Sequence, residues 1–431
     1  MRTTGNGVRR YQLAMGALFA LATVAYLLVI HHAGIESDVS RVYFPYADEL
    51  IRGTIPEVEY PPFALVFFAI PRLFASTPLG YEIAFSAEVF VFFMAGLIVI
   101  GKLAKRYHQS QYMAMLIYTA LMLLMLEFVL DRYDIFPAVL TLLSFYCLVT
   151  KRYAWAFVLL SIATMTKLYP AVLFPIYLVP FIFNRDWSNV LKGTAAFILT
   201  GILIVLPFIL LDSETALHFL SYHMDRPLHV ESAAASLIEL ASVLGMTNVW
   251  VEFGYGADNL MGSWPDAVVP YLLPFMIFVL AVVYALHAYM LSRLRKEKQD
   301  NENNRMIHLS GAALLALLAF IIFGKVFSSQ YLIWIIPFVA LMTMTSIDHT
   351  SKSYIFGLSV LVIILTQLNF AVNIGLDGGG AGITEAGMMI ILARNIAAVV
   401  LFAYVIKVCR ESIKKKPWCP HPRSDDRHQK L

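Results

Sequence analysis

The amino-acid sequence predicts an all-α polytopic membrane protein, a bundle of about 12 transmembrane helices with interfacial helices in two long outer connections. Three observations carry that expectation. The 431 residues are 59% hydrophobic and only 14% charged, with mean hydropathy +0.71, a composition outside the soluble range. Apolar runs long enough to cross about 30 Å of hydrocarbon recur along the chain. The Lys and Arg residues gather in short connections that alternate with acidic ones, the asymmetry that orients membrane helices.

The chain opens on "MRTTGNGVRR" and an apolar run from Tyr11 to Ile30. That run spans, and no small-x-small cleavage pattern follows it, so it reads as a retained first helix rather than a removed leader. Further spans are expected near 81–103, 111–130, 134–150, 153–167, 168–184, 193–211, 266–292, 307–324, 330–346, 354–374 and 386–407, with the first at 11–31. The run from Pro61 to Phe74 is only about 14 residues, below spanning length, and Pro71 and Arg72 interrupt its end. It is expected to dip into the outer leaflet as a short helix. With that choice and the amino terminus inside, "GKLAKRYH" and most later basic connections lie on the cytoplasmic side. The exceptions are Arg41, Arg52, Arg72, Arg132, Lys167, Arg226 and Lys325, in or beside outer connections, and Arg394, inside the last helix.

Outer connections 31–80 and 212–265 are long, and long loops are commonly functional. In the first, Val39, Val42, Tyr43, Tyr46 and Leu50 recur at helical spacing, which describes a helix lying along the interface. "SAAASLIELASVLG" in the second reads similarly. No internal repeat is visible. Residues 1–407 are expected to form one transmembrane domain and 408–431 a basic cytoplasmic tail on anionic lipid. The net charge of +3 carries no nucleic-acid footprint. Cys147, in an apolar run, and Cys409 and Cys419, in the tail, show no CxxC spacing, so neither a disulfide framework nor a thiolate zinc site is supported.

Several polar constellations stand out, each with an ordinary structural explanation. Asp38 begins the interfacial helix and alone reads as its N-cap. "GTIPEVEYPPF" is a turn with an extended Pro61–Pro62 pair that aims the next helix. "LEFVLDRYDIFPAVL" places Glu127, Asp131, Arg132 and Asp134 at a hairpin, where a surface salt-bridge cluster is the simple reading. Lys167 in "ATMTKLYPAVLFP" can snorkel to the interface. "SYHMDRPLHVES" packs His223, Asp225, Arg226, His229 and Glu231 into a polar loop. Its histidines lie six apart without helical periodicity, which does not match a metal spacing. In "FGKVFSSQYLIWIIP", Tyr331 and Trp334 are explained as interfacial anchors, but Lys325 between two apolar helices is not. Arg394, within a span, costs about 2.5 to 3.5 kcal/mol at mid-bilayer unless paired, so a buried partner is expected. Together Asp38, Glu59, Asp131, Lys167, Arg226 and Lys325 fall on one membrane face. A cavity lined by carboxylates and cations beside lipid would suit a lipid phosphate and a hydroxyl-rich substrate.

Taken in order, "SDVSRVYFPYADELIRG" with "EYPPF", then "RYDIFPAVL", "TKLYPAVLFP", "HMDRPLHVES", "GKVFSSQYLIWIIP" and "LARN" resemble the motifs of GT-C-type glycosyltransferases that take sugar from polyprenyl phosphate. The likeness is to the prokaryotic family with the domain of unknown function 2029, including mycobacterial phosphatidylinositol mannoside mannosyltransferases. "EYPPF" and "KVFSSQYLIW" are also similar to the eukaryotic first mannosyltransferase of GPI-anchor synthesis. The resemblance covers roughly residues 11–407. It implies a GT-C-like bundle in the plasma membrane, both termini cytoplasmic, moving a hexose, mannose by analogy, from a polyprenyl-phosphate donor to a glycolipid or cell-envelope glycan on the extracytoplasmic side.

Carried over by resemblance, Asp38 is the catalytic carboxylate, and Arg226 with His223 and Glu231 forms the donor-binding loop. Lys325 and Gln330 match the family's cation and amide before the aromatic belt, and Lys167 joins the donor-binding set. Glu59, Tyr60, Asp131, Arg132 and Asp134 fall to the acceptor or the pocket wall. Ser37 and Ser40 flank Asp38 where some relatives carry a second acid, so no metal is expected, and no cofactor is implied. The competing class is a transporter or flippase for an amphipathic substrate, which usually shows repeat symmetry and helices broken near the membrane centre.

Overall fold

The computed structural model describes residues 5–377 and 384–414. The expected tail from 415 onward, Cys419 included, lies outside them. In chain order the helices begin with α1 (Gly5–Ala33), a π-helical turn (Val39–Tyr43) running into α2 (Phe44–Ile51), α3 (Ala64–Arg72) and α4 (Pro78–Arg106). They continue as α5 (Gln111–Leu124), α6 (Leu126–Asp131), α7 (Ile135–Val149), α8 (Tyr153–Thr166), α9 (Phe174–Phe183), α10 (Trp187–Leu211) and α11 (Ser213–Asp225). After β1 (Leu228–His229), α12 (Ala233–Val243), β2 (Trp250–Gly254) and β3 (Ala257–Met261) come α13 (Ser263–Lys296) and α14 (Glu302–Phe323). The chain closes with α15 (Leu332–Thr343), α16 (His349–Asp377) and α17 (Glu385–Lys414). Helix rather than tail therefore occupies 408–414.

Seven of these, α1, α4, α10, α13, α14, α16 and α17, are long and apolar enough to cross a membrane. The other five expected spans are apolar helices below that length. Three helices break at the same end of the bundle. Regular helix ends at Leu124, Thr166 and Phe323, and the chain resumes as α6, as the 3-10 turn Tyr169–Leu173 and as the 3-10 turn Ser329–Tyr331. Irregular backbone at membrane depth is tolerated only where it is buried in protein or lines a cavity. These three breaks deliver Asp131, Lys167 and Gln330 to one end of the bundle.

The core follows burial. The apolar stretch of α14 is 83% enclosed whereas that of α10 is 6% enclosed, so α14 sits at the centre and α10 faces the surroundings. Helix α15 is apolar on every side and wholly buried, as an all-round hydrophobic helix must be. Close approach rests on small residues, the usual device between membrane helices. A Cβ at Gly96 in α4 would overlap the Tyr118 hydroxyl of α5, and one at Gly311 in α14 would overlap the Cys409 thiol of α17.

The second long connection holds structure that the sequence reading did not anticipate. Strands β1, β3 and β2 form a small antiparallel sheet in that order, with Leu228 opposite Leu260 and Trp250 through Gly254 opposite Met261 through Ala257. Tyr255 and Gly256 both take positive φ, 53° and 65°, the pair that a two-residue primed hairpin turn requires. Asn259 Nδ2 donates to the carbonyls of Gly254 and Ala257 at 2.7 and 3.0 Å, stapling the turn. Helix α12 beside it forms where "SAAASLIELASVLG" predicts a helix, capped by Ser232 Oγ accepting from the Ala235 amide at 3.1 Å.

Candidate active site

At the α1 carboxyl end, Gly34 (φ 65°) closes the helix, with the Ile35 amide returning to the Ile30 carbonyl at 2.9 Å. The chain then enters the π-helical turn, and here the structure corrects the sequence. Ser37, not Asp38, supplies the cap: its Oγ accepts from the Ser40 amide at 3.1 Å and itself donates to Glu82 of α4. Asp38 lies in helical conformation with no capping bond. Its carboxylate is instead held by Arg41 Nη2 at 3.0 Å and by Arg132 Nη1. Its backbone amide donates to Asp131 Oδ1 at 2.7 Å. One neighbour three residues on and one 94 residues away thus fix this carboxylate between two guanidiniums.

The hairpin at Asp134 is not a surface salt-bridge cluster. Asp134 is fully buried; its Oδ1 accepts from Lys167 Nζ at 2.7 Å and from Trp334 Nε1 at 2.6 Å, while Oδ2 has no partner. Lys167 does not snorkel. It is turned inward among the rings of Tyr133, Tyr331 and Trp334, 4.6, 5.5 and 5.4 Å from their centroids, a cation–π setting. Trp334 is not an interfacial anchor either: it is stacked between Tyr169 and Tyr331, each 3.9 Å away. Membrane-belt residues and site residues look alike in sequence, and only the buried Asp134 carboxylate tells them apart.

A third group gathers around Glu59, whose Oε2 accepts from the Tyr46 hydroxyl at 3.0 Å. Tyr60 packs on Tyr133 at 4.6 Å, and Tyr43 lies edge-on to Tyr133 at 5.8 Å. Tyr43 stands within electrostatic reach of Asp131, Asp134 and Glu59 alike. Tyr43 and Tyr46, which the sequence reads as part of an interfacial helix, stand with Tyr60, expected at the pocket wall, among the carboxylates.

On the other side, the loop after α11 is not water-exposed. Arg226 is 9% exposed, its Nε has no partner, and among the described residues no carboxylate lies within 4 Å of its guanidinium. Lys325 Nζ donates to the carbonyls of Met224 and Arg226 at 2.8 and 2.6 Å, the carboxyl end of α11, where a cation suits the helix dipole. Burial and Arg226 lower its pKa. His223 is pushed down to about 4 by burial and by the charges of Arg226, Lys167 and Lys325, against a backbone hydrogen bond involving Glu59. It is therefore neutral at neutral pH, and its surroundings tie the cation group to the Lys167 and Glu59 groups.

Glu231 and Gln330 have other occupations. Gln330 Oε1 accepts from Ser328 Oγ at 2.6 Å. Glu231 supplies the buried partner that Arg394 requires: Arg394 Nη1 donates to Oε2 at 2.5 Å, and Ser329 Oγ donates to the same oxygen at 3.0 Å. Arg394 is wholly buried over the Phe327 ring. Asn395 Nδ2 donates to the Glu231 carbonyl at 3.2 Å and to Ser236 Oγ at 2.7 Å. This network pins α17 to the loop that carries Arg226.

The arrangement presents cations without anions on one side, paired and unpaired carboxylates on the other, and aromatic rings between. It can hold an anion at Arg226 and offer a carboxylate to a hydroxyl. Among known families, the model of Glycosyltransferase family 87 matches residues 59–320. That stretch contains Glu59, Asp131, Asp134, Lys167, His223, Arg226 and Glu231 and leaves out Asp38, Lys325, Gln330 and Arg394. No curated protein matches the chain.

Proposed function

Because the chain belongs to glycosyltransferase family 87, we propose that it transfers a hexose, mannose in the first instance, from a polyprenyl-phosphate donor to a lipid-linked or cell-envelope glycan. The proposed site faces out of the cell membrane. The observation that carries this reading is Arg226, a buried guanidinium with no carboxylate partner among the described residues. Leaving a charge buried and unpaired is costly, and a donor phosphate relieves that cost. Arg226 takes the phosphate oxygens, Lys325 stands beside them, and neutral His223 offers a hydrogen bond without adding charge.

Phosphate already leaves well, so its departure needs positive charge around its oxygens rather than a second acidic carboxyl. As the sugar's bond to the phosphate oxygen breaks, the electron pair leaves on that oxygen and the sugar passes through an oxocarbenium-like state. The Asp38 carboxylate, oriented by Arg41 and Arg132, takes the proton of the acceptor hydroxyl as the new bond forms on the opposite face. Inversion at the anomeric carbon follows. The tyrosines and Glu59 line the acceptor side.

Purified protein in liposomes, given a panel of polyprenyl-phosphate sugars and acceptors, should yield a product whose mass includes one transferred hexose. Labelled lipid that crosses the bilayer with no glycosidic bond formed would replace transfer with transport. Arg226→Ala should weaken donor binding by about 2 to 5 kcal/mol, the usual cost of truncating a buried charge-assisted contact. Unchanged donor affinity would reject the phosphate clamp.

A further inference from the structure

The opposite end of the bundle, where α7 ends and α8 begins, holds a partly open cavity of about 180 Å³ that the glycosyl-transfer site does not use. Its rim is basic: Lys151, Arg295 and Arg305 line it, together with Asp300 and Glu302. The two acids are occupied. Asp300 accepts from Arg305 at 2.5 Å and lies 3.5 Å from Arg295, and Glu302 lies 3.6 Å from Arg106. Lys151 has no carboxylate within 4 Å among the described residues, so it is the cation left over. Beneath the rim the wall is apolar, with Phe181 and Leu291 among its residues.

Within that apolar wall sits His287, 2% exposed, with neither ring nitrogen bonded. His287, Leu291 and Arg295 recur every fourth residue, so one face of α13 runs from rim to wall. About 12 Å of helix separates the histidine from the arginine. A buried imidazole with no partner costs free energy unless something polar enters. An ion alone would satisfy the rim and leave His287 unmet. A hydrocarbon chain alone would fill the wall and leave both the histidine and Lys151 unmet.

We propose that this cavity binds an anionic phospholipid, its phosphate at Lys151 and the rim arginines, an ester oxygen at His287 and an acyl chain along the apolar wall. The site is separate from glycosyl transfer and stands whether or not that reading holds. Lys151 adds a second, independent mark. It occupies the left-handed position after α7 with φ 62°, where glycine is the usual residue, so the fold accepts backbone strain to keep a lysine there.

The test uses the full chain in neutral detergent, with native mass spectrometry after titration with dioleoylphosphatidylglycerol, dioleoylphosphatidylcholine or inorganic phosphate. The glycerol lipid should be retained in preference to the choline lipid. Lys151→Gln, at an exposed position, should weaken retention about fivefold, the contribution of one basic residue at a lipid surface. His287→Phe should weaken it further; if that variant fails to fold, His287→Gln replaces it and should keep the lipid. Equal retention of both lipids, unchanged by Lys151→Gln, would overturn the proposal as would binding of inorganic phosphate with no preference for lipid.

Discussion

The two ends of the bundle close their helices in opposite ways. At the Asp38 end, α1, α2 and α12 are followed by Gly34, Gly53 and Gly245, with φ of 65°, 89° and 75°. A Cβ at any of these would meet nothing within 4 Å, so backbone conformation rather than crowding selects glycine. At the Lys151 end, α4, α7, α9 and α13 are followed by His108, Lys151, Arg185 and Lys298, with φ of 55°, 62°, 56° and 54°. Each non-glycine residue in that conformation costs about 1 to 2 kcal/mol. A basic residue there gains from the helix dipole and from anionic lipid. One end therefore spends strain to face His108 and three cations outward. At the other end the cations turn inward and meet carboxylates distant in sequence: Arg132 with Asp38, Lys167 with Asp134, Arg394 with Glu231.

If the inward charges build a site, removing one of them should affect function more than anything done at the basic end. Asp38→Asn should lower turnover by about two to four orders of magnitude, the range for losing a general base, with the fold retained. Product formation from labelled donor measures it. Turnover within a few-fold of wild type would take the base away from Asp38.

A smaller effect is expected from the pair that only positions. Arg394→Met leaves the Glu231 carboxylate without its buried partner, which should cost about 3 to 5 kcal/mol of stability in detergent denaturation. Adding Glu231→Gln should recover part of that loss, because the second change removes the stranded charge. A single variant as stable as wild type would show that the network does not hold α17 to the loop.

The same contrast explains what was legible in the sequence. Runs of apolar residues report helices wherever a helix has lipid or protein on every side, so helices could be placed from α1 to α17, although five of the twelve expected spans fall short of spanning length. The need for a partner for Arg394 followed from the cost of its charge, though nothing in the spacing named Glu231. The misreadings collect where the membrane surface and a site use the same residue types. Lys167 and Trp334 at the end of an apolar run are equally good as interfacial anchors, and Asp38 before a helix is equally good as a cap. What separates the readings is the Asp134 carboxylate and the Arg132 guanidinium, contacts across the chain that no local pattern encodes. The sheet went unseen because β2 and β3 are short strands between hydrophobic helices, where period-two alternation has little room to show.

His223, buried beside the inward cations, also has a pH signature. His223 is held down to about 4 against an ordinary 6.5, so between those values the unfolded chain binds a proton that the folded chain refuses. Its contribution to stability is complete above about pH 6.5 and is lost as pH falls through 4. His223→Gln should flatten that part of the stability profile, read as the unfolding midpoint from pH 7 to pH 4. A profile unchanged by the substitution would show that burial and the neighbouring cations do not hold the proton off His223.

The smallest effect expected has the opposite sign and tests the basic end directly. Lys151→Gly relieves the left-handed backbone but gives up the cation at the α7 terminus and adds freedom to the unfolded chain. The three contributions leave a net gain of no more than about 1 kcal/mol of stability. Retention of anionic lipid should fall in the same variant. More stability with less lipid means that the lysine is kept for what it binds and at a cost to the fold. If the variant is instead less stable, Lys151 serves the helix end itself, and the contrast between glycine and basic closures has no bearing on the membrane.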